Sequence, residues 1–564
     1  MKILLVYPYF IEERIQAEDI ECPPIGLYWV AALLKEHGYD VEILNWYDAL
    51  RRPEEIRGVL GLKRPDIIGF SILHANRWGG IEIARIAREL NPDVKIVLGG
   101  PGATFLWRHL LTHFPVVDFV VIGEGEIPFL ELVQHVEKGK GPLPDGIRGI
   151  AFRRGGKIVR TQRHPFISNL DELPIPSKYF EYRHVSSTRG CAWNCRFCGS
   201  PALWGGRIRF RSPGHFVEEL ELLYRKGITF FYVSDDAFTV DRERVIDICR
   251  RILEKGLKIT WYAISRVDCV DEKVLAWMRR AGCIQISYGI ESGSERIRKV
   301  LNKRITTGQV KKAFALTREY GILPRAYFIY GSPGETWETV EETVTLIREI
   351  QPLGAVFYIL DLYPGTAFYA RLMKSGHFTE EFWLSRVEGL MYLETDPRLS
   401  DELVLAFGSR LRTAFYEEVH SFADSISLVE REDLYAMHAD FCSRLGMTFS
   451  HGDYARNESV REKNRIAEKL YRKALGYSPD ERAYLGLGIL KQKAGDFRAS
   501  IDVLSEAIRH FPESESLHIC LGISHMNAQD YRSALSSLSR FSGSEQAKDL
   551  IERCSRVLKG IDHD

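Results

Sequence analysis

Short β-rich runs alternate with helical periodicity from Lys2 to Glu137, and this alternation constrains the fold more than any other feature of the chain. Runs at Lys2 to Tyr9, Val41 to Trp46, Asp66 to Leu73, Val94 to Gly99 and Phe119 to Ile122 are separated by helical patterns near Ile25 to Glu36, Ile81 to Leu90 and Ile127 to Glu137. Parallel strands need crossover connections, so the pattern predicts a doubly wound, Rossmann-like α/β domain over residues 1–140. A second series has strands near 183–188, 228–234, 259–264, 284–290, 325–331 and 355–361. It predicts a partial (β/α)6 barrel over 183–375, open on one side. Residues 141–182 carry Gly, Pro and Asp at turn positions (GPLPDG, RRGGK, DELPIPSKY) and read as a connector with a hairpin around Gly155 and Gly156.

After about Gly376 the strand pattern stops, leaving an all-α helical region at 376–460 and a repeating one at 461–564. Leu470, Ala474 and Tyr484-Leu487-Gly488 find counterparts 34 residues later, and Gly495-Asp496-Phe497 with Ser500 aligns with Gln529-Asp530-Tyr531 and Ala534. That period is the tetratricopeptide length, so roughly two TPR-like repeats and a capping terminal helix are predicted. A concave stack of this kind suits a peptide or protein partner; shielding a sheet edge or forming a dimer interface are alternatives.

A chain of 564 residues exceeds one compact domain several times over, and 45% hydrophobic with 27% charged residues is ordinary globular composition. Lys+Arg and Asp+Glu both number 76, so no global field favours nucleic acid or anionic lipid. The opening run MKILLVYPYF reaches Glu12 and Glu13 with no cleavage pattern, and no apolar stretch is long enough to span a bilayer, which predicts a soluble cytoplasmic chain without a transmembrane segment.

Of ten cysteines, three crowd into Cys191-Ala-Trp-Asn-Cys195-Arg-Phe-Cys198, just after the first strand of the second series. Three thiolates on one tight loop suit an iron-sulfur cluster with one iron left open. A zinc site recruiting His184 or His215, or buried free thiols, are the alternatives. Cys269 and Cys283 lack a second Cys-x-x-Cys set and read as structural thiols.

The loop resembles the CxxxCxxC signature of the radical S-adenosylmethionine superfamily, and Phe197 before the last cysteine matches as well. The resemblance implies a [4Fe-4S] cluster on Cys191, Cys195 and Cys198, S-adenosylmethionine on the open iron, and reductive cleavage to a 5′-deoxyadenosyl radical. By position along the series, Asp235 or Asp236 resembles the partner of the methionine amino group, although the family's glycines are missing there. Arg266 resembles the carboxylate partner, Glu291 the ribose acceptor, and the turn from Gly331 to Gly334 and Glu335 the adenine-side loop. As plain residues each is equally a solvated strand-end charge or a tight turn.

In the first domain Ser71-Ile-Leu73, Gly99-Gly100-Pro101-Gly102 and Gly123-Glu124-Gly125-Glu126 end strands, where doubly wound sheets bind ligands. Taken together they resemble the cobalamin-binding domain, which implies cofactor contacts at Ser71, Leu73, Gly99, Gly100, Gly123 and Glu124. The DxHxxG segment of many such domains is absent, Tyr7-Pro8-Tyr9-Phe10 standing in its place, so cobalt would lack a protein imidazole below. His74 reads as an ordinary strand-end histidine, and a GxGxxG nicotinamide fingerprint is missing.

The combination resembles the cobalamin-dependent radical enzymes, most of all the methyltransferases, in which a substrate radical takes methyl from methylcobalamin. That implies an electron donor such as a reductase, flavodoxin or ferredoxin, and an unidentified substrate for which no motif exists. Cyclisation, ring contraction or oxidation with the same cofactors is the second reading, and a TPR-mediated assembly protein with a vestigial barrel the third. Tyr288, Tyr327, Tyr330 and Tyr358 are candidates to line the substrate pocket, or are packing residues.

Overall fold

The computed structural model describes residues 1–10, 22–47, 52–139, 146–376, 378–386 and 396–560. Glu12, Glu13 and most of the GPLPDG turn lie outside the described residues. The first sheet contains β1 (Lys2–Tyr7), β2 (Asp40–Asn45), β3 (Ile67–Ser71), β4 (Lys95–Gly99), β5 (Phe119–Val121), β6 (Ile150–Arg154) and β7 (Lys157–Arg160), in the order β2-β1-β3-β4-β5-β6-β7. The first five strands are parallel, with helices on both faces, so strands such as β3 are buried along their whole length. Alternate side chains feed two cores: Leu4, Val6, Ile68, Phe70, Ile96 and Leu98 enter one, while Ile3, Leu5, Ile67 and Val97 enter the other.

The hairpin at Gly155 and Gly156 forms, but it is no free connector. β6 pairs antiparallel with β5 and β7 with β6, which extends the first sheet by two strands. Turn residues reveal a hairpin, and nothing local to them reveals which edge it will cover.

The second half contains β8 (His184–Val185), β9 (Thr188–Arg189), β10 (Arg209–Phe210), β11 (Phe230–Val233), β12 (Thr260–Ser265), β13 (Cys283–Glu291), β14 (Leu323–Tyr330) and β15 (Gly354–Ile359). Six of them form a parallel sheet ordered β15-β14-β13-β12-β11-β8. Helices Pro213–Arg225, Arg242–Glu254 and Glu272–Arg280 begin where Ser212, Asp241 and Asp271 accept from the amides of His215, Arg244 and Val274. The expected strand over 183–188 is broken in two: after Val185 the chain leaves the sheet, and β9 pairs antiparallel with β10. The cause is Asp235, whose carboxylate takes the amides of Ser187 (2.7 Å) and Thr188 (3.0 Å).

Helices Asp401–Asp424 and Tyr435–Ser450 pack on the outside of this sheet, and one core runs from Phe357 through Phe415 and Phe441 to Leu487. Further helices begin at Lys463, Glu481, Phe497, Glu515, Tyr531 and Glu545. Each of the repeated glycines, Gly488 and Gly522, lies against a leucine, Leu504 or Leu538, closely enough that a Cβ would sit 2.7 or 2.6 Å from it. No helix among the described residues is long and apolar enough to cross a membrane.

Candidate functional site

The cysteine loop crosses the carboxyl end of the second sheet. Its three cysteines are free and half-buried. Gly190 opens the loop at φ 95°, so close to Arg207 that a Cβ would fall 2.1 Å from that residue's carbonyl oxygen. The Arg196 amide donates to the Leu301 carbonyl (3.0 Å) and the Asn302 side chain to the Asn194 carbonyl (2.6 Å), fixing the loop from the far side. Phe197 packs against the cluster of Ile297, Leu301 and Leu360.

Burial pushes all three thiols up, Cys198 to about 12, while Lys303 and Arg266 pull on Cys195 in the opposite sense. As thiolates they therefore need the positive charge of bound iron. Three soft donors on one constrained loop fit a cluster with an open iron. The zinc alternative loses its fourth ligand, because His215 accepts from Arg211 (2.9 Å) and faces Asp171, while His184 contacts Ser234 (3.2 Å) and stacks on Tyr232. Among the described residues no three His, Cys, Asp or Glu side chains converge on a single-ion site.

Around the loop, the two adjacent aspartates part company. Asp235 is buried and accepts from Ser186, Ser187 and Thr188, three of the four bonds on Oδ1, so it organises the chain entering the loop. Asp236 accepts from Ser200 Oγ (2.6 Å) and acts electrostatically on Cys191 and Cys198, with burial pushing its own carboxyl up. Arg266 is held by both oxygens of Asp268 (2.9 Å each) with its guanidinium 4.0 Å from the ring centroid of Trp193, inside the loop. Glu291, at φ 70° after a bulge in β13, is buried and bonded to Lys303 (2.9 Å), and both groups act on Cys195.

The Gly331 turn is gripped from within: its amide (2.6 Å) and that of Ser332 (3.2 Å) both reach Glu335 Oε2, leaving Oε1 to carry a proton. Burial pushes the Glu335 carboxyl up to about 7 against those two amides. A folded-state value above the unfolded one means that this group's stabilisation is complete below about pH 4.5 and is lost as pH rises through 7. Replacing Glu335 with Gln is expected to flatten the melting temperature between pH 5 and pH 8, where the parent loses on the order of 2–3 kcal/mol from this group. An unchanged pH profile would refute the protonated carboxyl.

At the carboxyl ends of the first sheet lies a cavity of about 310 Å³ lined by Ser71, Gly99, Gly100, Gly123, Glu124 and, from the second half, Thr188, Arg189, Gly190 and Asp236. Most of the wall is apolar, including Leu5, Val30, Val97 and Phe129. Gly100 takes φ 90°, and a Cβ on Gly102 would lie 2.4 Å from the Leu73 carbonyl carbon, so the helix beginning at Gly100 sits directly on the Ser71 to His74 segment. A cradle of bare backbone backed by apolar side chains fits the nucleotide tail of a corrinoid. Leu73 does not line the cavity; its amide is bonded to Asn76 (2.8 Å). Nor do Tyr7, Tyr9 and Phe10, which are buried in the two cores of the first sheet.

Glu124 lines this cavity and also reaches the second half of the chain. It pairs with Arg189 (2.7 Å) and Arg209 (2.8 Å) and accepts the Ile167 amide (2.9 Å), and these partners hold its carboxyl below the usual range. Arg189 also binds Glu126 (2.6 Å). The residue two before Cys191 is thus clamped to the cavity of the first sheet. His74 also joins the halves, bonding Asp361 (3.0 Å) and stacking on Tyr363, whose hydroxyl accepts the Gly199 amide (3.3 Å).

Of the four candidate tyrosines, Tyr288 and Tyr330 are buried in the helix-covered core, whereas Tyr327 and Tyr358 face the other side of the sheet. Tyr232 and Tyr262 join them there and were missed, although strand parity was a sufficient signal. Cys269 and Cys283 are buried, as expected of structural thiols.

Comparison with known proteins finds one family in each half of the chain. The family profile described as the Radical SAM superfamily matches residues 185–347, and that of the B12 binding domain matches residues 19–133. The chain is 36% identical to the "uncharacterized methyltransferase PH0819" of Pyrococcus horikoshii over 65% of this chain and 82% of that protein. It is 30% identical to the anaerobic magnesium-protoporphyrin IX monomethyl ester cyclase of Rubrivivax gelatinosus, over 66% of this chain and 70% of the relative. The structure of the radical S-adenosylmethionine methyltransferase TsrM from Kitasatospora setae, with cobalamin and a [4Fe-4S] cluster bound, shares the fold at TM-score 0.59 and 19% identity, covering 84% of this chain and all of that one. With the segment leading into the cysteine loop lining the same cavity as the strand-end glycines of the first sheet, this chain belongs to the radical S-adenosylmethionine enzymes that carry a B12-binding domain.

Proposed function

We propose that the enzyme transfers a methyl group to an unactivated carbon of its substrate, using a [4Fe-4S] cluster, S-adenosylmethionine and cobalamin, with electrons from a reductase, flavodoxin or ferredoxin. The observation that carries this reading is the shared cavity: Ser71, Gly99 and Gly100 form one side of it and Gly190 and Asp236 the other, so the corrinoid site opens on the segment leading into the cluster loop. When bound, the cofactors supply the radical and the methyl group. The chain's own work is to hold them around one closed space, because a radical reacts with whatever side chain is nearest.

In this reading Cys191, Cys195 and Cys198 hold the cluster, and Asp236, Arg266, Glu291 and Gly331 surround the nucleoside. Ser71, Gly99, Gly100 and Gly123 cradle the corrinoid tail, while Asp235 and Glu124 hold the backbone between the sites. The domain division follows, with residues 1–160 as the B12-binding domain, 183–375 as a partial barrel and 376–460 as its helical cover. Residues 461–564 are TPR-like repeats offering a concave surface to a peptide or protein, a reading supported by helix starts 34 residues apart at Lys463, Phe497 and Tyr531.

A substrate-independent assay tests the reaction. Reduced holoenzyme given S-adenosylmethionine should release both 5′-deoxyadenosine and S-adenosylhomocysteine, the second marking methyl donation. Release of 5′-deoxyadenosine alone would favour the second reading, a cyclisation or oxidation without methyl gain, which the identity to the Rubrivivax cyclase supports. The aspartate pair gives a finer test. Asp236→Asn is expected to raise half-saturation by S-adenosylmethionine about tenfold with unchanged melting. Asp235→Asn is expected to cost about 2–3 kcal/mol of stability, because an amide group then faces backbone donors. Equal behaviour of the two variants would remove the distinction.

A further inference from the structure

The segment from Leu301 to Arg304 binds the cysteine loop, Glu291 and Arg266 at once. The Leu301 carbonyl and the Asn302 side chain hold Arg196 and Asn194, the residues on either side of Cys195. The Lys303 ammonium donates to Glu291 Oε1 (2.9 Å), and the Arg304 carbonyl accepts from Arg266 Nη2 (3.1 Å). The turn has a fixed shape. After helix Glu295–Val300, Asn302 takes φ 54° and its amide donates to the Lys299 carbonyl (3.1 Å), while the Lys303 amide donates to that of Arg298 (2.8 Å). This double closure lets a left-handed asparagine end the helix, and Lys303, the next residue, is buried.

Packing alone would not select a lysine there. The side chains of Lys303 and Glu291 are 8% and 7% exposed, and a buried ion pair adds little stability over an apolar pair of similar volume. The strand nevertheless leaves room for the pair: a Cβ on Gly289 would lie 2.5 Å from Glu291 Oε1 and 2.8 Å from Lys303 Nζ. Lys303 occupies one oxygen of Glu291, and Oε2 carries no hydrogen bond among the described residues. Both charges act on Cys195, in opposite senses, that of Lys303 the more strongly.

We propose that Lys303 is a positioning residue for both cofactors: it holds Glu291 by one oxygen so that the other meets the nucleoside ribose, and it fixes a positive charge near Cys195 that favours the reduced cluster. The inference rests on the reading of Cys191, Cys195 and Cys198 as cluster ligands and of Glu291 as the ribose acceptor. One electron from the carrier protein adds one negative charge to the cluster, so a fixed cation nearby stabilises the reduced form more than the oxidised one.

Anaerobic redox titration of the reconstituted protein, followed by the electron paramagnetic resonance signal of the reduced cluster, tests the charge. Lys303→Met should lower the reduction equilibrium about tenfold, or about 59 mV for one electron, and Glu291→Gln should raise it. Lys303→Arg should restore most of the parent value. Lys303→Met leaves a buried carboxylate unpaired; combined with Glu291→Gln it leaves none, so the double variant should melt like the parent and still be harder to reduce. Isothermal titration with S-adenosylhomocysteine tests the positioning: each single variant should weaken binding about tenfold, and the double variant no more than either. Single variants that shift the potential in the same direction, a double variant with the parent potential, or losses of affinity that add would each overturn the proposal. A parent protein without a reducible cluster would remove the cluster reading and the proposal with it, whereas a normal cluster with unshifted potentials would remove the proposal alone.

Discussion

Replacing Cys198 with alanine is expected to abolish 5′-deoxyadenosine formation, by a factor of at least about a thousand, and to strip iron and sulfide from the anaerobically reconstituted protein. The thiol lies on the loop fixed by Leu301 and Asn302, and burial would keep it protonated without iron. Cobalamin binding should survive, since Cys198 does not line the cavity of the first sheet. The control is Cys283→Ala, the same chemical change in the helix-covered core, where ~1–2 kcal/mol of packing should be lost and the iron retained. Full iron content and undiminished product in Cys198→Ala would mean that the cluster is held elsewhere.

Gly190→Ala should have nearly as large an effect with every cysteine in place. An alanine at φ 95° already costs about 1–2 kcal/mol, and its Cβ would meet the Arg207 carbonyl oxygen at 2.1 Å and the Trp204 Cβ at 3.0 Å. The near neighbour is backbone and cannot rotate away, so the chain between Arg189 and Cys191 must move. That shift acts on both cofactors, because Arg189 is clamped to Glu124 and Glu126 while Gly190 lines the corrinoid cavity. Iron per chain should fall by more than about half, roughly the effect of 1 kcal/mol or more on retention, and cobalamin should fall with it. Gly206→Ala isolates backbone strain, since Gly206 has φ 67° and open space around it. Equal behaviour of the two variants would show that close approach at Gly190 is not the constraint.

The linkage between the halves also explains why the site was only partly legible. Cys191, Cys195 and Cys198 could be read because ligand spacing on one loop is a local property. Gly100 and Gly123 stand out because a positive φ at a strand end selects glycine, whereas Gly99 is extended at φ -141° with room for a Cβ. Lys303 and Trp193 were not readable, since each acquires its meaning from a neighbour brought in by another strand or loop.

Local order along the chain was thus enough to determine the two βα series, the cysteine loop and the helical end, because hydrophobic period and turn chemistry act over a few residues. Tertiary structure alone decided that the hairpin at 150–160 extends the first sheet and that the strand after Arg183 breaks in two. It also brought Asp235 to the Ser187 amide, its neighbour Asp236 within electrostatic reach of the Cys198 thiol, and Glu124 to Arg189. The physical reason is common to all of these. A backbone amide, a sheet edge or a charge binds whichever partner the fold brings within about 3 Å, and sequence distance does not set that choice.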